Sequence, residues 1–205
     1  MNIVAQSVEL LTKTPYEEAL RLVEDAGRTC YKSHRDTTVL EAEKFVKGII
    51  KSGHESVVEH FNISFKIITD RGVTHQIVRH RIASFSQEST RYCNYSKDKF
   101  DNEITFIDPF ESVDSEGRKE WEEAVKVCEE KYMQMIEKGV SLDIARSVLP
   151  NCTKTEIVMT ANVREWRHFL KLRCDKATHY QTREIANMIR DELATKYPAF
   201  FEDLL

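Results

Sequence analysis

The sequence predicts an α+β fold, an antiparallel sheet with helices packed around it, and three observations carry that prediction. Phe61, Ile63, Phe65 and Ile67 alternate with Asn62, Ser64 and Lys66, the period of two that marks a strand buried on one face. Trp121, Ala124, Val125, Cys128, Tyr132 and Met135 recur at helical spacing, which marks a stripe facing a core. The chain has 205 residues, 41% of them hydrophobic and 31% charged, and a chain of that size buries about 70% of the surface exposed on unfolding. One domain spanning 1–205 is therefore expected, with no disulfide or structural metal needed to hold it together.

Taken in order, residues 3–10 read as a strand and residues 15–31 as a helix, with Pro15 in its first turn and Ala19, Leu20, Val23 and Ala26 on one face. A second helix is expected over 38–52. Thr37 or Thr38 is its N-cap, Phe45, Val46, Ile49 and Ile50 point inward, and Gly53 stops it. After the strand at 61–67, Asp70, Arg71 and Gly72 punctuate the chain. A short helix over 73–80 comes next, then an irregular, hydroxyl-rich stretch over 84–96. Residues 104–107 read as a strand and residues 116–138 as the longest helix, which stops at Gly139. Leu149 and Pro150 end another short helix, residues 155–160 form a strand, and helices over 164–172 and 179–197 close the chain. There is no internal repeat.

Composition excludes several functional classes. The formal charge of -4 argues against a protein that coats nucleic acid, because counterion release needs a broad basic surface. No apolar run approaches the roughly 20 residues needed to span a bilayer, and the opening residues lack the basic and apolar regions of a signal peptide. A cytosolic protein without membrane contact is expected. Cys30, Cys93, Cys128, Cys152 and Cys174 are odd in number and scattered, without a C-x-x-C pair, which speaks against a zinc knuckle or a disulfide framework.

In this acidic chain the run Arg79-His80-Arg81 stands out. Taken alone, it reads as a solvated helix end whose cations complement the macrodipole. Just downstream, Ser84, Ser86, Gln87, Ser89, Thr90 and Arg91 set hydroxyls, an amide and a further guanidinium close by. Such groups make the forked, charge-assisted bonds that phosphate requires, and a small phosphorylated ligand suits the arrangement better than a polymer. A module that stacks bases on Tyr92 and Tyr95 is the rival reading, disfavoured by the acidic balance.

The run Arg79-His80-Arg81, seven residues, then Ser89 resembles the signature motif of the flavin-dependent thymidylate synthases. Further matches are His54-Glu55-Ser56, Glu59-His60, Arg91-Tyr92, the segment Ala145-Arg146-Ser147-Val148-Leu149-Pro150, Asn162 and Leu172-Arg173. The resemblance implies an α+β homotetramer with active sites shared between subunits, methylating dUMP with FAD, NADPH and 5,10-methylenetetrahydrofolate and releasing tetrahydrofolate. By the same resemblance His54, Ser56, Arg79, His80, Arg81, Asn162, Val163, Arg164 and His168 would contact FAD. Gln76, Arg79, Gln87, Glu88, Ser89, Thr90, Arg91, Arg146 and Arg173 would form the dUMP site, with Arg173 stabilising the N3-deprotonated uracil ring. A flavoprotein of this fold that has lost methyl transfer is the second rival, disfavoured by the presence of both Arg146 and Arg173. Two positions depart from many members: Ser86-Gln87 stands in place of Asn-Glu, and Thr90 in place of Gly, which requires a backbone there without positive φ. No cysteine has a catalytic role in the resemblance.

No metal is expected. His54 and His60 do not form the zinc motif H-E-x-x-H, because six residues separate them, about 240° around a helix. His60 and His75 are expected to be buried and hydrogen-bonded, and His54 to face the flavin.

Overall fold

The computed structural model describes residues 1–110 and 116–205. Its strands are β1 (Asn2–Val4), β2 (Ser7–Leu10), β3 (Asn62–Asp70), β4 (Ala83–Gln87), β5 (Thr105–Ile107) and β6 (Lys154–Asn162). Its α-helices are α1 (Tyr16–Thr29), α2 (Val39–Lys51), α3 (Arg71–Ile77), α4 (Arg118–Glu137), α5 (Leu142–Ala145), α6 (Val163–Arg173), α7 (Tyr180–Lys196) and α8 (Pro198–Phe201). The fold class is the expected one, α+β with an antiparallel sheet and packed helices.

Three departures from the sequence pattern matter for the site. The strand expected over 3–10 is two strands in two sheets. β2 begins a four-stranded sheet of order β2-β3-β6-β4, whereas β1 pairs in parallel with β5, Ile3 opposite Phe106. Between them Gln6 is buried, its Oε1 accepting a 2.6 Å hydrogen bond from the Thr69 hydroxyl. A buried amide needs such a partner, and that bond fixes the residue where the run breaks. The hydroxyl-rich stretch begins with a strand, β4, whose small polar residues hide the alternation. Finally, α3 ends at Ile77, so Arg79, His80 and Arg81 lie beyond it in the connection to β4.

By their internal contacts the described residues form two units. The first comprises Met1–Ser7, Ile67–Val78 and Ser86–Ile157, the second Val8–Lys66, Arg79–Phe85 and Val158–Leu205. In the first, α4 supplies Val125 and Tyr132 to a cluster with Tyr95, Ile104, Phe106 and Ala145. The Asp70 carboxylate caps α3 by accepting from the Val73 N–H at 2.7 Å.

The second unit holds the larger helices. Thr38 starts α2 with a capping box: its hydroxyl accepts from the Glu41 N–H at 3.3 Å, and the Glu41 carboxylate accepts from the Thr38 N–H at 2.9 Å. Gly27 lets α1 approach α2, since a Cβ there would lie 2.9 Å from the Phe45 ring. Helix α6 is anchored by Trp166, fully buried, whose indole N–H donates to the Ile63 carbonyl at 3.0 Å. The Trp166 ring meets Phe65 and Phe169 edge to face at 5.3 and 5.5 Å.

Candidate active site

In the second unit the basic run and helix α6 meet at His80. Its side chain is 2% exposed, while Arg79 and Arg81 on either side are exposed. His80 Nδ1 lies 3.1 Å from Glu165 Oε1, and Arg173 Nε donates to His80 Nε2 at 3.0 Å. The ring also packs edge to face on Phe169 at 4.8 Å. Burial, and then the neighbouring Arg173 and His168, drive the His80 pKa down to about 4. His80 is therefore neutral at pH 7.

Asn162 places the start of α6. Its side chain accepts from the Glu165 N–H at 2.9 Å, the N-cap geometry that fixes the first turn. The exposed Arg164 and His168 then project from one face, four residues apart, while Val163, Glu165, Trp166 and Phe169 turn inward. Asn162, Arg164, His168, Glu55, Glu59 and Ile82 line a cleft of about 500 Å³. Arg164 also lines a second cleft of about 580 Å³ together with His54, Ser56, Tyr31 and Phe45. Its guanidinium pairs with Glu59 at 2.6 Å and with Glu55 at 3.6 Å. Five of the expected flavin contacts, His54, Ser56, Asn162, Arg164 and His168, thus border two clefts that share one arginine.

The remaining expected contacts divide by unit. Val163 is buried as the first residue of α6. Gln76, Gln87, Glu88, Ser89, Thr90, Arg91 and Arg146 lie in the first unit, Arg79 and Arg173 in the second. Gln87 Nε2 donates to the hydroxyls of Thr74 and Thr155 at 3.1 and 3.3 Å. Two threonine hydroxyls suit a neutral amide at this position. The Glu88 carboxylate accepts from the Tyr95 hydroxyl at 2.7 Å and from Lys154 Nζ at 3.4 Å. Burial and that carboxylate push the Tyr95 phenol well above its usual range. Arg91 pairs with Asp143 at 2.8 Å, and Ser89 Oγ accepts from the Arg91 N–H at 3.3 Å. Thr90 is buried, with Arg146 Nη1 3.5 Å from its hydroxyl. Among the described residues only Lys32, Asp101 and Asn102 have positive φ outside glycine, so Thr90 occupies the position that many members give to Gly without backbone strain.

Residues 9–199 match the family described as "Thymidylate synthase complementing protein". The flavin-dependent thymidylate synthase of Geobacter sulfurreducens is 34% identical over 203 residues, covering 96% of this chain and 85% of that protein. This chain belongs to the flavin-dependent thymidylate synthase family. It is an enzyme of that type. The Pyrococcus furiosus flavin-dependent thymidylate synthase is 35% identical over 190 residues, 90% of this chain and 77% of that protein. The crystal structure of the UMP/dUMP methylase PolB from Streptomyces cacaoi, bound with 5-Br dUMP, superposes with a TM-score of 0.81 at 21% identity, over 98% of this chain and 96% of that one. It shares the fold.

In this flavin-dependent thymidylate synthase, side chains that spacing alone did not reveal contact the expected site residues His80 and Glu88. Glu165 is the foremost. The signal was present, because a carboxylate at 165 falls on the same stripe as Trp166, Phe169 and Leu170, and a charge on a core face needs a partner. Tyr95 and Lys154, which hold Glu88, carry no such local signal. Two expectations are corrected. His60 and His75 are exposed, not buried; His75 sits on the outer face of the short α3, and the buried histidine is His80. Among the described residues one group could hold a metal ion, His80, Glu165 and His168, with ligand atoms within 4.8 Å of one another. The Arg173 guanidinium against His80 opposes a cation there.

Nucleophilic attack on a uracil ring by a cysteine requires a thiolate, and three of the cysteines are shifted away from that form. Burial pushes the thiols of Cys93 and Cys174 up and that of Cys152 up to about 11, away from the thiolate form that nucleophilic attack requires. We predict that single replacement of Cys93, Cys152 or Cys174 by Ala keeps dTMP formation within about ten-fold of the parent, with flavin occupancy as the control. A loss of several orders of magnitude in any flavin-loaded variant would identify a nucleophile instead.

Proposed function

We propose that this enzyme converts dUMP to dTMP, taking the carbon from 5,10-methylenetetrahydrofolate and the reducing equivalents from NADPH through FAD. The carrying observation is the joint presence of the family's full basic motif and a neutral, buried His80 holding Arg173 by its Nε. The donor set suits FAD: Arg79 and Arg81 are exposed on either side of His80, and apolar Tyr31, Phe45 and Ile82 border clefts lined by Ser56, Asn162, Arg164 and His168. Guanidinium groups would hold the diphosphate, and the apolar borders would take a flat ring system. When bound, FAD supplies the redox chemistry that side chains cannot.

Carbon 5 of uracil is a weak nucleophile and needs electron density before it accepts a one-carbon unit. Arg173 provides for this by stabilising the ring with N3 deprotonated; it acts as a fixed cation, since a guanidinium does not serve as a general base at neutral pH. Its place at the C-terminal end of α6 favours a cation through the helix dipole. Gln76, Gln87, Glu88, Ser89, Thr90, Arg91 and Arg146 are assigned to dUMP, with Arg91 and Arg146 binding phosphate. PolB, whose fold this chain shares, is a UMP/dUMP methylase solved with 5-Br dUMP, which supports dUMP as the substrate. All these ligands are anionic, so a local basic site is compatible with a net charge of -4. A homotetramer with shared active sites fits the exposed apolar side chains Ile82, Tyr92, Val127 and Ile144, and the water-soluble substrates suit the cytosol.

The test is direct. Purified protein is expected to be yellow, with about one FAD per chain as the family implies, and to oxidise NADPH at a rate that responds to dUMP. A colourless protein that cannot be reconstituted with FAD would sink the proposal.

A further inference from the structure

We infer that Glu165 and His80 form a relay that orients Arg173, with His80 held as its Nδ1–H tautomer between a carboxylate acceptor and a guanidinium donor. The role rests on the proposed action of Arg173 on the uracil ring and extends it to two positioning residues, one of which, Glu165, stands outside the resemblance. Three observations meet here. Arg173 Nε carries a hydrogen and no lone pair, so at 3.0 Å His80 Nε2 is the acceptor and bears no proton. The ring is buried and neutral, so its single N–H sits on Nδ1, which faces Glu165 Oε1 at 3.1 Å. The third concerns Glu165, buried on the core stripe of α6 and therefore in need of a donor.

The alternative proton placements fail on the same geometry. A protonated Glu165 donating to Nδ1 would force the His80 proton onto Nε2, where it would oppose the Arg173 N–H, donor against donor. An imidazolium would do the same and place a buried cation beside the Arg173 guanidinium. The Nδ1–H arrangement alone gives each of the three groups a complementary neighbour, and its net charge is zero. A carboxylate behind an imidazole makes the far nitrogen a better acceptor and fixes the plane of the ring. Here that nitrogen grips Arg173 Nε. The grip is built across the fold: His80 comes from the connection before β4, while Glu165 and Arg173 come from the two ends of α6. The relay therefore holds the guanidinium at its Nε from the body of the fold.

The tautomer can be read without substrate, on flavin-loaded enzyme labelled with 15N-histidine, His80 being identified by the signal lost in His80→Gln. A neutral Nδ1–H imidazole at pH 7 is expected; an Nε2–H tautomer or an imidazolium overturns the relay. The functional arm compares Glu165 variants with flavin occupancy matched. Glu165→Leu is expected to lower kcat/KM for dUMP by about 10- to 100-fold, by analogy with the loss of a carboxylate behind a metal-bound histidine. Glu165→Gln, whose amide oxygen still accepts from Nδ1–H, is expected to recover about ten-fold of that loss. In an Arg173→Ala background, Glu165→Leu is expected to cost nothing further, since the relay would have nothing left to orient. Losses that add in the double variant, or a Glu165→Leu enzyme as active as the parent, overturn the inference. If the parent forms no dTMP at all, the proposed function fails while the tautomer measurement still decides the relay.

Discussion

Replacing Arg173 with alanine is expected to reduce dTMP formation to a small measurable residue while flavin stays bound. The loss should reach at least about 10²- to 10³-fold in kcat/KM, the range for deleting one preorganised donor aimed at developing charge. Flavin should persist because the clefts bordered by Asn162, Arg164 and His168, and by His54 and Ser56, do not include Arg173. The fold should persist too: Arg173 is half-buried at the last turn of α6, and its Nε bond to His80 is replaceable by water once the side chain is gone. The measurement is dTMP formed per bound flavin. Near-normal turnover would remove Arg173 from the chemistry, and loss of flavin along with turnover would place it in the cofactor site instead.

The largest stability effect is expected at Trp166. Truncation to alanine should cost about 3–5 kcal/mol, as for other fully buried large aromatics. At fixed protein concentration that lowers the melting temperature by about 6–20 °C for a chain of this length. Two losses combine: the edge-to-face contacts with Phe65 and Phe169, and the indole donor, without which the Ile63 carbonyl is left buried and unpaired. Trp166→Phe keeps most of the apolar volume and loses the donor, so it should cost about 1–2 kcal/mol. Because Arg164, Glu165, His168 and Arg173 share α6 with Trp166, flavin occupancy should fall with stability in the alanine variant and less in the phenylalanine one. A change below about 1 kcal/mol in Trp166→Ala, read from the denaturant midpoint at unchanged slope, would show that other contacts hold this helix in place.

Local spacing determined much of this protein. The alternation at Phe61, Ile63, Phe65 and Ile67 marked β3, the stripe containing Trp121, Val125 and Tyr132 marked α4, and Thr38 with Glu41 marked the start of α2. These signals are legible because a strand or helix repeats within a few residues, so its buried face is written in consecutive sequence. The run Arg79-His80-Arg81 with Ser89 was legible for a different reason: its order and spacing are specific enough to indicate the family.

Tertiary structure decided what depends on partners far along the chain. Residues 3–10 read as one strand, yet β1 and β2 join different sheets, and at the break between them Gln6 is buried with a hydrogen bond from Thr69, 63 residues away. His80 is buried between two exposed arginines, with Glu165 and Arg173, 85 and 93 residues away, meeting its two nitrogens. His60 and His75 look similar in sequence and are exposed. A histidine's composition and neighbours do not fix its burial; that depends on whether the fold brings a donor or an acceptor to each ring nitrogen, since an unpaired polar atom in the interior costs more than the burial of the ring returns.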